Sequence, residues 1–235
     1  MAVQFAQPYR FSEQQLARMA QAGVVPEYGT ELIEGVPYRA GAPLRFSSED
    51  YFRLGELGIL HEGDRVELMD GEVIEMSPEG NRHSACIRRL MRFLFPHVGQ
   101  AIIGSQDSLS LPDEYWPQPD VIVLRPHENE YEDRHPTHAD ALVVVEVADS
   151  SLRLDRNVKS VRYAQSGIPE FWLVDLRRDR IVVHRDPAGS AYQHVQSYGA
   201  GESWTSAALG GLNVPVDVVL KPALRPPGLP PRRGG

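Results

Sequence analysis

The apolar positions of this chain change period along its length, and the changes mark its elements. The run Leu142-Val-Val-Val-Glu-Val-Ala148 is almost continuously apolar, which predicts a strand covered on both faces. "DVIVL" at 120–124 and "EFWLVD" at 170–175 predict two more short buried strands. His83, Ile87, Leu90, Met91 and Leu94 recur at helical spacing, so a helix is expected from about 81 to 95. A second helix, from about 155 to 166, should stop at Gly167, with Pro169 just beyond. "VELMDGEVIEM" at 66–76 alternates around Asp70-Gly71 and predicts a tight hairpin. Residues 101–111 predict one or two strands, and 180–186 with 191–197 a further hairpin. Between them, 112–119 reads as a loop, and 126–139, rich in Asp, Glu and His, as a solvated one. From 81 to 175 the order is helix, three strands, helix, strand, which suits an α/β (α+β) fold with a mixed sheet flanked by helices.

The N-terminal region repeats itself. Arg-Phe-Ser at 10–12 returns at 45–47, Gly23-Val-Val returns as Gly58-Ile-Leu, and Glu31-Leu-Ile-Glu-Gly as Glu67-Leu-Met-Asp-Gly. Each copy reads as a serine-capped helix, a glycine turn and a strand entering a tight turn. Two copies are too few for a solenoid, so a local duplication is expected. The organisation is thus an extension over 1–43, a main domain over 44–220, and a Pro/Gly-rich tail over 221–235 expected to be disordered.

Composition adds exclusions. Net charge is −8, which argues against a protein living on non-specific phosphate contacts, though not against an acidic metal site with a local basic rim. The single cysteine, Cys86, excludes an intramolecular disulfide and a cysteine zinc cluster. With no signal-peptide pattern and no window approaching the roughly 18 apolar residues of a membrane span, a reducing cytoplasm is the default. Lysine occurs only at 159 and 221 among 24 basic residues. Lys159 is therefore conspicuous, because lysine offers a compact charge whose pKa can be tuned.

Glu146 is the anomaly in the pattern, a carboxylate inside an apolar strand. An unpaired buried ion costs several kcal/mol, so Glu146 needs a partner. If the strand at 120–124 pairs with that at 142–148, Asp120 and Glu146 can share one face near one end of the sheet. Two such carboxylates suit a hard cation, Mg2+ or Mn2+. The alternative is a strand-end Glu that reaches solvent or caps a helix.

"VELMDGEVIEMSPEGNRH", "PDVIVL", "LVVVEVADSS" and "DRNVKSVRYAQSGIPEFWLVD" together resemble the Uma-type "putative restriction endonuclease" family of the PD-(D/E)XK nuclease superfamily, from about 44 to 220. The resemblance implies a restriction-endonuclease-like αβββαβ core and a metal-dependent endonuclease acting on DNA. It implies Asp120, Glu146 and the Val147 carbonyl as metal ligands. The superfamily's usual lysine, two residues after the Glu, is Ala148 here, a departure from the common pattern. The block resembles versions whose lysine has moved to the following helix, which assigns that role to Lys159. Its alternative is an ion pair with Asp155 at i,i+4. His83, on the apolar stripe of its helix, is assigned near the site, against a core histidine bonded to backbone. Glu67 is assigned from the hairpin, against a solvent-facing Glu alternating with Val66 and Leu68, and Glu31 occupies the equivalent place in the first copy. Tyr163, one turn after Lys159, could hold the lysine head or contact phosphate, or simply pack. His135 and His138 read as loop residues. Cutting a duplex would use two active sites, so a homodimer is expected. A different class stays open, a non-catalytic nucleic-acid-binding or accessory module on the nuclease scaffold.

Overall fold

A computed structural model describes residues 7–61, 63–76, 79–149 and 155–220, without the side chains of Asp155 and Arg156. The tail from Lys221 and the side chain of Arg153 lie outside these residues. In chain order the elements are β1 (Gln7–Pro8), α1 (Glu13–Gln21), β2 (Thr30–Ile33), β3 (Val36–Arg39), β4 (Ala42–Pro43), α2 (Ser48–Glu56), β5 (Val66–Met69), β6 (Glu72–Glu75), α3 (Asn81–Leu94), β7 (Ile102–Gly104), β8 (Val121–Leu124) and β9 (Ala141–Ala148). A helical segment follows, π-helical over Asp155–Lys159 and α-helical as α4 (Ser160–Gln165). Then come β10 (Glu170–Asp175), β11 (Arg180–Ala188), β12 (Ala191–Tyr198), β13 (Ser203–Ser206), β14 (Leu212–Pro215) and α5 (Val216–Val219).

The main sheet has six strands in the order β12-β11-β10-β9-β8-β7. β9 and β10 are parallel and the other neighbours antiparallel, so α3-β7-β8-β9-α4-β10 forms the expected αβββαβ core. The parallel pair requires a crossover, and α4 supplies it. Alternation along β9 divides its side chains between two cores. Val143, Val145 and Val147 face one core with Ile87, Leu90 and Leu94 of α3 and the edge-to-face pair Trp172–Trp204. Val144 and Ala148 face the other with Tyr163 and Ala164 of α4 and Tyr115. Covering on both faces is why these strands read as apolar runs rather than alternating ones.

The two N-terminal copies repeat at the level of hydrogen bonds. Ser12 and Ser47 both close capping boxes, with Gln15 and Asp50. Val24 N–H donates to Met19 O, and Ile59 N–H donates to Leu54 O, at 2.9 Å each. Glu34-Gly35 and Asp70-Gly71 turn their hairpins with positive φ at both positions, the geometry that asks for glycine second. Phe11 N–H donates to Gly35 O and Phe46 N–H to Gly71 O, both at 2.8 Å. The copies meet in a third core containing Phe11, Met19, Phe46, Leu54, Val66 and Leu68. No helix among the described residues is long and apolar enough to cross a membrane.

Cys86 points from α3 into the core and is fully buried. Burial pushes its thiol up to about 12, against an opposing effect of the nearby Arg89. Because the thiolate is the reactive form, iodoacetamide should leave the native protein unlabelled and label it in step with urea unfolding. Rapid stoichiometric labelling of the native protein, read by mass spectrometry, would contradict this packing.

Candidate active site

The site lies at the end of the sheet where β8 begins and β9 finishes. The ladder pairs Val121 with Val145 and Ile122 with Val144. Carried one step further, it sets Asp120 opposite Glu146. Asp120 sits in a bend just before β8, and its Oδ2 accepts from the Val147 amide at 2.6 Å. The same oxygen lies 3.0 Å from His83 Nε2 on α3. On the other side of the imidazole, Nδ1 lies 3.2 Å from Glu79 Oε2. Glu79 is in turn held by Arg65 and by the Gln106 amide. Ser105 Oγ donates to the Asp120 carbonyl at 2.8 Å and fastens the loop that delivers it.

Ligand atoms of Glu79, His83 and Asp120 all lie within 4.8 Å of one another, and among the described residues this is the group of three or more that could hold a metal ion. Burial alone would push the His83 imidazole down. The hydrogen bond and charge of Asp120, together with Glu79, outweigh burial and the opposing Arg65, and raise it above its ordinary value. Two carboxylates on one imidazole make a locally negative pocket, and a cation relieves it.

Glu146 faces a different cation. Lys159 Nζ donates to Glu146 Oε1 at 3.0 Å and to Glu67 Oε1 at 2.9 Å. Tyr163 OH donates to the same Glu146 oxygen at 2.6 Å. Burial, then the charge of Glu146, hold the Tyr163 hydroxyl well above its ordinary value, so it stays a donor. Glu67, Glu146 and Lys159 are 1%, 4% and 0% exposed. Such burial is tolerable only because the charges meet in hydrogen-bond geometry. Glu146 is thus partnered by an ammonium and a phenol, while the metal-competent group contains Asp120 but not Glu146.

Local structure explains how Lys159 arrives there. It closes the π-helical turn and precedes α4 directly. A π turn shifts which side chains face the sheet and recurs at functional sites. Helical periodicity read from Asp155 does not reveal such a turn. Glu67 owes its burial to what covers β5. Trp116 bridges to Leu68, and the Gln118 amide donates to Glu67 Oε1 at 3.0 Å. Glu31, its counterpart in the first copy, is exposed. Glu67 Oε2 is buried without a hydrogen-bond partner among the described residues.

Glu79 was missing from the residues that sequence reasoning singled out. It lies four residues before His83 but ahead of α3 and its N-cap Gly80, so helical spacing gave no signal for it. Of the arginines near the site, Arg162 pairs with Asp70 and Asp113, and Arg82 with Asp179 and the Leu176 carbonyl. Arg88 is exposed. His135 stacks on Phe52, with ring centroids 4.7 Å apart.

Comparison with known proteins adds to this geometry. The chain is similar to a solved "putative nuclease belonging to DUF820" from Anabaena variabilis. The two are 14% identical and superpose with a TM-score of 0.59 over 76% of this chain and 98% of that one, a likeness of fold. No curated protein matches the chain. A family model described as "Uma2: Putative restriction endonuclease" matches residues 48–217, most of the sequence. The αβββαβ core and that match agree, and the chain belongs to the Uma2 family.

Proposed function

We propose that the protein is a metal-dependent endonuclease that hydrolyses phosphodiester bonds in DNA. The observation that carries this reading is the trio of half-buried Glu79 with buried His83 and Asp120, with donor atoms within 4.8 Å of one another beside the ion-paired Lys159 network. The donor set fits a divalent ion, because carboxylate oxygens suit Mg2+ or Mn2+, and an imidazole shifts the preference toward Mn2+. The orphaned Glu67 Oε2 is a further acceptor in the neighbouring network.

Asp120 is the ligand common to both possible sets of donors. Glu79 and His83 reach it from the α3 side. Glu146 and the Val147 carbonyl reach it from the sheet. A strand residue's N–H and C=O face the same neighbour, and the Val147 amide already meets Asp120. When bound, the ion would lower the pKa of an attached water and offset charge on the scissile phosphate. Lys159 would orient that water or stabilise charge developing on the phosphate. Glu67 and Tyr163 hold the Lys159–Glu146 pair in position. His83 spans Asp120 and Glu79, so it aligns both carboxylates and can relay a proton. A homodimer would supply the second active site needed to cut both strands.

The alternative is a nucleic-acid-binding or accessory module without chemistry. Specific observations favour it. Lys159 is already ion-paired with two carboxylates, and Arg82 and Arg162 are each paired with acids.

Supercoiled plasmid nicking separates the two. With Mg2+ or Mn2+ the protein should nick, chelation should stop it, and Asp120→Asn or Glu146→Gln should slow it on the order of 100-fold or more. DNA binding without nicking would select the accessory module. Calorimetric titration with Mn2+ should detect a site that His83→Ala or Glu79→Gln weakens about 10- to 100-fold. No heat from the wild-type protein at millimolar Mn2+ would remove the metal from the reading. Lys159→Met leaves two carboxylates buried without their cation and should cost about 3–5 kcal/mol in urea unfolding. A much smaller loss would mean the network is loose in solution.

A further inference from the structure

Beside the candidate active site, a cavity of about 640 Å³ opens between α2, β5 and the loop of residues 105–118. Its walls include Tyr51, Phe52, Asp64, Gln106, Ser108 and Gln118. Its volume is within the roughly 300–1,000 Å³ of small-molecule sites. Two of its residues belong to both the cavity and the site. Gln106 donates its side-chain amide to Glu79, and Gln118 donates its backbone amide to Glu67. Whatever enters the cavity therefore lies next to the carboxylates.

The lining chemistry narrows the occupant. Among the described residues that line it, there is no lysine or arginine. Asp64, which accepts from the His61 amide at 2.8 Å, would repel an anion. His61 is the one potential cation in this lining, so the wall does not favour a phosphate. Carboxamide and hydroxyl side chains offer donors and acceptors together, and aromatic rings with Leu60 and Val66 offer apolar surface. This combination suits a neutral, flat heterocycle with donors and acceptors at its edge. Unstacked nucleobases are recognised in this way, by hydrogen bonds to the edge and by contact with aromatic faces.

The duplication supplies a second argument. Positions that build the framework repeat between the copies, as Phe11 with Phe46 and Ser12 with Ser47. Three positions of α2 that line the cavity diverge. Leu16, Ala17 and Ala20 stand in the first copy where Tyr51, Phe52 and Gly55 stand in the second. Phe52 is further fixed by edge-to-face contact with Trp116 at 4.7 Å. The second copy thus combines the shared scaffold with its own polar and aromatic wall.

We propose that this cavity binds one unstacked nucleobase of the nucleic acid, presenting the attached backbone to the neighbouring carboxylates. The inference rests on the nucleic-acid reading above, but its test needs neither metal nor cleavage. The four deoxynucleosides, which carry no phosphate, are titrated into the full-length protein in EDTA by calorimetry. At least one should bind saturably, and inorganic phosphate should not displace it. Gly55 lines the cavity, and a Cβ there would meet no atom within 4 Å, so Gly55→Leu should fold and fill the space. It should weaken binding about tenfold or more. Gln118→Ala keeps the backbone bond to Glu67, and it should weaken binding as well. No nucleoside binding, binding displaced by phosphate, or equal binding to wild type and both variants would overturn the proposal. Loss of plasmid nicking with nucleoside binding retained would sink the nuclease reading and leave the cavity's assignment standing.

Discussion

The interaction on which the site depends is the buried ion pair of Lys159 with two carboxylates. It joins three parts of the chain that are remote in sequence, the β5–β6 hairpin, strand β9 and the helical crossover that follows. An ammonium with no water around it can be kept only where acceptors surround it. Here Glu67, Glu146 and Tyr163 form one hydrogen-bonded unit with it. Each group makes the burial of the others tolerable, and together they fix the hairpin against the main sheet.

The second constraint is geometric. At the point where β8 begins, Asp120 leaves the ladder and meets the Val147 amide, which β8 itself does not reach. That contact satisfies a backbone donor at the sheet's end and simultaneously aims the carboxylate toward α3. Core packing of Cys86, Ile87, Leu90 and Leu94 sets the helix on the sheet, so His83 arrives at Asp120 as a result of ordinary helix packing. The site is assembled from strand ends and a helix start, while the rigid middle of the sheet holds these parts in register.

Much of this was legible in the amino-acid pattern. The Val-rich run of β9, the Asp70-Gly71 turn and the αβββαβ order follow from period, turn chemistry and burial on both faces. Glu146 was recognisable because a carboxylate in an apolar strand demands a partner, and Lys159 because lysine is so scarce. The identity of that partner was less legible. A metal ion and an ammonium satisfy a carboxylate by the same charge rule, and only tertiary placement distinguishes them. Glu67 and Glu31 occupy the same place in matching motifs, yet one is buried and the other exposed. Their difference lies in Trp116, Gln118 and Lys159, which approach from elsewhere in the chain. The π turn before α4 was hidden for a related reason, since its residues are compatible with an ordinary helix.

The paired N-terminal units also bear on how the chain finds its structure. Both have the same capping box, the same glycine turn and the same hairpin, so each can form early from contacts close in sequence. Misassembly, with one copy taking the other's place, is the characteristic failure of repeated units. If the first hairpin docked in place of the second, Glu31 and its neighbours would meet an interface built for Glu67, and the error would have to be undone before the protein matured. Glu31 would bring the same carboxylate to Lys159, so the ion pair alone does not tell the copies apart, and the feature particular to the second hairpin is the Trp116 bridge at Leu68 that closes over the buried pair.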